Sequence, residues 1–336
     1  MKNSEILFIY EAVCTNPNGD PDAENRPRID PASGRCLVTD VRLKRYIRDY
    51  IIDKFGEKYV WVSTVNGKSV TADERGRTLA EQWKDDPRIA ELLKERGGKI
   101  PAWVELVPKL CLDARLFGAT IPVKKKEGSE TGASISFVGP VQFSLGFSLH
   151  PVELIESSSI TSIFSGRETG YGTIGKDYRI YYGLIAFQGA VSGFRARGTG
   201  LRDIDVKALD DAIWDSIKLE TISRSKIGQR PRLYLRVEYV DSETFIGEDF
   251  RKFLSVKHER KIRSMNDLKL GFSELVGLLE EHAEKIETIY VREEGIEWAD
   301  GGRLIDALKS SKKLSDKVVE LPHKEENLLE RAVKYE

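Results

Sequence analysis

The order of hydrophobic patterns between Glu5 and Tyr239 leaves few folds open to this chain. Glu5 to Val13 is a short apolar run, the pattern of a strand buried on both faces, and it ends in the turn formers Asn16-Pro17-Asn18-Gly19-Asp20-Pro21. With Thr39 or Asp40 as N-cap, Val41, Ile47, Tyr50, Ile51 and Phe55 then recur at helical spacing until Gly56 stops the pattern. Between Val141 and His150, Val141, Phe143, Leu145, Phe147 and Leu149 alternate with Gln142, Ser144, Gly146, Ser148 and His150, which predicts one strand with a core face and a wet face. An apolar strand near Tyr181 to Val191, a helix from about Asp205 to Leu219 and an alternating strand from Arg232 to Tyr239 complete the series.

Strand, helix, strand, strand, helix, strand is the split βαβ or ferredoxin-like plan of the α+β class, which RNA-recognition domains share with many others and which does not by itself fix function. Residues 57–130 mix short elements with charged loops and read as an insertion. Ser157 to Lys176, rich in Ser, Thr and Gly, reads as a loop or protruding hairpin, and Gly193 to Gly200 as a glycine-punctuated basic turn. Beyond about residue 250 a helix is expected near Asn266 to Lys285 and a short strand at Thr288 to Val291.

Composition narrows the function classes. A chain of 336 residues, 40% hydrophobic and 32% charged, buries a core of its own. Cys14, Cys36 and Cys111 lie far apart, so neither a disulfide framework nor a local zinc site is indicated. The Ile6 to Tyr10 run is too short for a secretory signal, no apolar stretch reads as a membrane span, and a reducing cytoplasm is the expected setting. The glycines match neither the P-loop nor the dinucleotide fingerprint, so no cofactor is expected. His150, His258, His282 and His323 fall in no nucleophile or metal pattern, so no catalytic residue is assigned.

Charge is more informative in its distribution than in its sum of −1. Thr39 to Arg48 carries four cations and one anion, Ile222 to Arg236 five cations and no acid, and Ser273 to Asp300 nine acids and two bases. That separation suggests a polyanion site on one face and a cationic partner or second copy on another. Arg42, Lys44, Arg45 and Arg48 crowd the first turns of the first helix, where the macrodipole disfavours cations and a bound anion would relieve the conflict. Lys44, Arg45 and Arg48 are spaced to share a face opposite the apolar stripe and meet successive phosphates; a solvated face paired to Asp49 and Asp53 is the alternative. Thr221 to Gln229, with Arg224 and Lys226 among small hydroxylated residues, suits phosphate oxygens and would equally form an ordinary surface loop. Asp20, Asp22 and Glu24 are hard oxygen ligands in one loop, though a turn capped by its own Asp side chains explains them as well.

Several motifs then resemble a known family. Asn16-Pro-Asn-Gly-Asp-Pro-Asp-Ala-Glu-Asn-Arg-Pro-Arg28 and Val38-Thr-Asp-Val-Arg-Leu-Lys-Arg-Tyr-Ile-Arg48 resemble the backbone subunit of type I CRISPR Cascade, the Cas-seven family of the RAMP superfamily, most closely its type I-B branch. Asp113-Ala-Arg-Leu-Phe-Gly-Ala119, Gly139-Pro-Val-Gln-Phe-Ser144, Gly175-Lys-Asp-Tyr-Arg-Ile-Tyr-Tyr-Gly183 and Ala212-Ile-Trp through Arg224-Ser-Lys-Ile-Gly228 extend the likeness over about residues 5–240.

The resemblance implies an RNA-recognition-like palm over residues 1–250, with inserted fingers at about 57–130 and a thumb at about 157–176, and a C-terminal helical extension over 251–336. It implies a subunit that polymerises with further copies of itself along a guide RNA (crRNA), beside other Cascade subunits, and leaves the bases free to pair with target DNA. By position, Arg42, Lys44, Arg45 and Arg48 fall on the family's guide-binding helix and Arg26 and Arg28 on the loop before it, while Ile163 and Phe164 are the apolar wedge residues of the thumb. Relatives in type III complexes cleave RNA with a loop aspartate, which leaves a metal-dependent endoribonuclease using Asp20, Asp22 or Asp30 as the alternative activity.

Overall fold

The computed structural model describes residues 1–65, 67–86, 103–123, 133–155, 159–161, 174–258 and 261–335. Its main sheet contains β1 (Ser4–Thr15), β2 (Arg35–Val38), β3 (Val141–Phe143), β4 (Gly146–Pro151), β5 (Ile180–Val191), β6 (Gln229–Tyr239), β7 (Ile286–Glu293) and β8 (Val318–Glu320). Hydrogen bonding orders them β8-β7-β6-β1-β5-β4-β2, with β3 also on β5, and only the β7–β8 pair is parallel. The described helices are α1 (Asp40–Phe55), α2 (Ala72–Gln82), α3 (Trp103–Leu110), α4 (Leu112–Phe117), α5 (Gly193–Thr199), α6 (Asp203–Leu219), α7 (Ser273–Glu281), α8 (Leu304–Ser310) and α9 (Leu328–Lys334).

β1 is the axis of this mixed α+β arrangement. Ile6, Phe8 and Tyr10 enter a core closed by Leu43 and Ile47 of α1 and Ile213 and Trp214 of α6; Leu7 and Ile9 enter a second core closed by Leu275 and Leu279 of α7 and Leu304 and Leu308 of α8. A strand covered on both faces needs the unbroken apolar run its sequence shows. β6 is also buried on both faces, and Pro231, which has no N–H to donate, sits where the β1–β6 register slips.

Several expectations need correction. Val141 to His150 is two strands: Phe143 pairs with Gly189 but Phe147 with Ala186, so one extra residue sits between them. A one-residue slip exchanges the faces, which puts Leu145 outside and buries Ser148 and His150. Gly193 to Thr199 is the helix α5, capped by Ser192 through its bond from the Arg195 amide, and not a turn. Asn266 to Lys285 is α-helical only over Ser273–Glu281, because residues 268–271 pair as a strand with 255–258. Val41 is 64% exposed, and the buried stripe of α1 is Leu43, Tyr46, Ile47, Tyr50 and Ile51. Residues beyond 250 contribute strands as well as helices, since β7 joins the sheet on β6.

Between sheet and helix layer lies a buried ionic cluster. Asp210 of α6 accepts from Arg236 Nε and Nη2, both at 2.7 Å, from Tyr234 Oη at 2.6 Å and from His323 Nε2 at 2.8 Å. Burial alone would raise the Asp210 carboxyl, but the Arg236 charge and the hydrogen bonds from His323, Arg236 and Tyr234 together outweigh it and hold the group below the usual range. Asp210→Ala strands a guanidinium that is only 1% exposed, so a loss of about 3–5 kcal/mol in a urea titration is expected.

Candidate nucleic-acid interface

At the C-terminal end of β1 the loop that follows it is stitched to the loop before β6. The Val13 amide donates to Gly228 O at 3.0 Å, the Asn16 amide to Ser225 O at 2.8 Å, and Thr15 Oγ1 to the same carbonyl at 2.5 Å. Gly228 has φ +108°, and a Cβ there would fall 2.2 Å from Val13 O, so glycine is required on two counts. Asn18 Oδ1 accepts from both the amide and the hydroxyl of Thr39, at 2.8 and 2.9 Å, and Thr39 in turn caps α1. One loop therefore fixes the start of α1 and the 221–228 segment together.

Cations gather at this junction. The Arg26 guanidinium lies 4.4 Å over the Tyr178 ring and donates to its hydroxyl, and that hydroxyl and Lys176 Nζ each donate to Glu24, both at 2.9 Å. Arg179 Nη2 is 2.6 Å from Asp177, whose carboxylate also lies 3.5 Å from Arg224 Nε. The Arg224 side chain is 64% exposed. Arg28 meets Asp20 at 3.2 Å, and Arg42 stacks 4.0 Å over Tyr46. The Nε atoms of both Arg28 and Arg42 are buried donors without an acceptor among the described residues. Lys226 Nζ donates to the carbonyls of Asn16 and Pro17, and burial together with Arg42 pushes its ammonium down to about 8.

Lys44, Arg45 and Arg48 do not form the shared open face that their spacing suggested. Lys44 is 8% exposed and donates to Asp40 Oδ2 and Gln142 Oε1, each at 3.0 Å. Arg48 is equally buried, and its Nε donates to Asp113 Oδ2 at 2.8 Å; that carboxylate also takes the amides of Trp61 and Val62. Arg48 ties α1 to the inserted segment, a use that the 65 positions from Arg48 to Asp113 conceal, and Lys44 ties it to Gln142 of β3. Arg45, partly exposed, pairs with Asp49 one turn on.

Asp20 and Asp30 of the long loop are engaged locally, whereas Glu24 reaches Lys176 and Tyr178. Asp20 accepts from the Asp22 amide, and Asp30 holds the turn through the amides of Ala32 and Ser33 and the Ser33 hydroxyl. Among the described residues no group of three or more His, Cys, Asp or Glu side chains is placed to hold a metal ion. Ile163 and Phe164 lie outside the described residues.

The model of the family described as CRISPR-associated protein Cas7 matches residues 2–273. A curated relative from Haloferax volcanii, the CRISPR-associated protein Cas7, is 35% identical over 311 residues, covering 88% of each chain. The chain belongs to the Cas7 family. Two solved chains are similar at lower levels, one from a "CRISPR RNA-guided surveillance complex, pre-nicking" (TM-score 0.47, 17% identity, 90% of this chain and 95% of that one) and one from a "CRISPR RNA-guided surveillance complex" (0.45, 13%, 99% of each).

Within this Cas7 chain, the reading by residue type missed Tyr178, Arg179 and Tyr46. The run Lys176-Asp177-Tyr178-Arg179 carried the signal, since alternating charge around an aromatic just before a strand suits a stacked guanidinium. Gly228→Ala should open the seam between the two loops. We expect a loss above about 1 kcal/mol in thermal melts and faster hydrogen exchange at the Val13 amide, which the seam protects; an unchanged Val13 amide would refute this account.

Proposed function

We propose that this Cas7-family chain is the crRNA-binding backbone subunit of a type I Cascade, one copy of a filament laid along the guide, which presents the bases for pairing with target DNA beside other subunits. The supporting observation is the set of Arg26, Arg28, Arg42, Arg224 and Lys226, gathered where three loops meet. Aromatic rings, backbone carbonyls and a few carboxylates hold them, and two of their donors have no acceptor among the described residues. Such an array grips phosphates without reading bases. Arg45 joins them by exchanging Asp49 for a phosphate, while Lys44 and Arg48 hold α1 in place. The neighbouring β6-β1-β5-β4 order supports the ferredoxin-like palm, and the pairing of residues 159–161 with 174–176 supports a thumb hairpin. On this reading the palm spans residues 1–250 with fingers at about 57–130 and the thumb at about 157–176, residues 251–336 are an extension, the branch is type I-B, and the subunit is not a nuclease.

Replacing Arg26, Arg45 and Arg224 together by Ala should weaken binding to unrelated RNAs alike and lower the slope of log affinity against log salt by about 2. Arg48→Ala should instead lose stability by about 3–5 kcal/mol, because it leaves Asp113 buried without its cation. Unchanged RNA affinity in the triple variant contradicts the assignment, and regularly spaced cleavage of complementary RNA with magnesium would support the endoribonuclease instead.

Lys226 adds a pH dependence. Its ammonium is lost as pH rises through about 8, so guide affinity should fall severalfold between pH 7 and 9, and Lys226→Met should remove that component. The stability of the RNA-free protein should change in the opposite sense. Between about 8 and the usual lysine value of 10.5 the unfolded chain holds a proton that the folded chain has released, so Lys226 contributes rising stability across that window.

A further inference from the structure

At the opposite end of β5 from the basic junction lies a second surface that the guide site does not use. β5 has 12 residues, so at about 3.3 Å per residue the two ends are roughly 40 Å apart. A groove of about 500 Å³ opens there, lined by Phe137, Val138, Phe194, Arg195 and Arg197 with Ser136 and Gly198. Phe194 is 71% exposed and Val138 59%. The Arg197 guanidinium lies 5.9 Å from the centre of the Phe194 ring. Among the described residues no carboxylate lines the groove, and neither Arg195 nor Arg197 is ion-paired. Leaving a large aromatic ring in water beside two uncompensated cations is unfavourable for a chain with no use for them.

We propose that this groove is a stacking platform for single-stranded DNA, with Phe194 receiving an unpaired base and Arg195 and Arg197 the flanking phosphates. An exposed aromatic between guanidiniums is the minimal arrangement that holds a strand without reading its sequence. The source of that strand rests on the function proposed above: when a guide pairs with one strand of a duplex, the other is released. A second copy of this chain is a poorer occupant. Five of the nine acids in the stretch that would have to meet these arginines are engaged within its own chain, Glu280 with the Ser311 hydroxyl, Glu287 with Lys2, Glu294 with Lys218, Glu293 with the Leu304 and Ile305 amides, and Asp300 with the Phe272 amide.

The test uses the guide-loaded assembly and a labelled oligothymidylate unrelated to the guide. Phe194→Ala should weaken oligonucleotide binding about tenfold, Phe194→Trp should retain it, and Arg195→Gln with Arg197→Gln should lower the salt slope by about 1.4. Guide uptake, measured in the same samples before the oligonucleotide is added, should be unaffected. Full oligonucleotide affinity in both the Phe194→Ala and the double Arg variant overturns the proposal. So does a shortened assembly with oligonucleotide affinity intact, which would make the groove a contact between copies. If the wild type takes up no guide, the functional reading fails separately, and the same variants in the RNA-free chain still decide the platform.

Discussion

Everything in this chain is hung on the two-sided burial of β1. Flanked by β5 and β6 and covered above and below, it has no edge and no wet face, so its register is fixed by side-chain packing in two directions at once. A strand held this firmly can deliver a long irregular loop to a definite place. Thr15 and Asn16 leave the sheet already bonded to Ser225, and three residues later Asn18 is bonded to Thr39. The position of the basic junction is therefore set by backbone bonds made before any cation is placed.

The cations of the chain separate into two kinds that sequence does not distinguish. Arg48, Arg236 and Arg115 are buried against Asp113, Asp210 and Asp205, and each lashes a helix or an insertion to the rest of the fold. Arg26, Arg42 and Lys226 are held by rings and carbonyls, partners that orient a charge without neutralising it. A buried pair contributes definition more than free energy. An uncompensated cation keeps its field for a ligand, and the depressed Lys226 ammonium records the cost of burying such a charge, with Arg42 beside it adding to that cost.

Much of the fold was legible because period and burial are local. The run at Ile6 to Tyr10, the α1 stop at Gly56 and the alternation at Leu233 to Tyr239 each reflect one element meeting one environment. What stayed hidden was non-local. The slip at Ser144–Leu145 depends on what β5 offers opposite, and α5 was masked by glycines that suggested a turn although Ser192 caps it. The same holds for the site. The motif around Arg26 and Arg28 marked the loop that carries both to the junction, but Tyr178 under Arg26 comes from 152 positions away. The fate of Lys44 and Arg48 turned on Gln142 and Asp113, which no helical spacing could have supplied.

The polarisation of charge along the sequence also means something different once folded. Five cations between Ile222 and Arg236 do not act as one patch: Arg232 and Arg236 are consumed by Glu11 and Asp210, while Arg224 and Lys226 reach the junction. The acidic stretch at Ser273 to Asp300 is likewise spent in part on capping α8, closing the turn at Phe272 and meeting Lys2 and Lys218. A run of like charge thus identifies where a chain has charge to use, and only the partners decide how much remains for a ligand. By that measure the cations least neutralised by carboxylates among the described residues lie at the two ends of β5, at the Arg26 junction and at Arg195 and Arg197, and the polyanions proposed above would meet them there without displacing a buried partner.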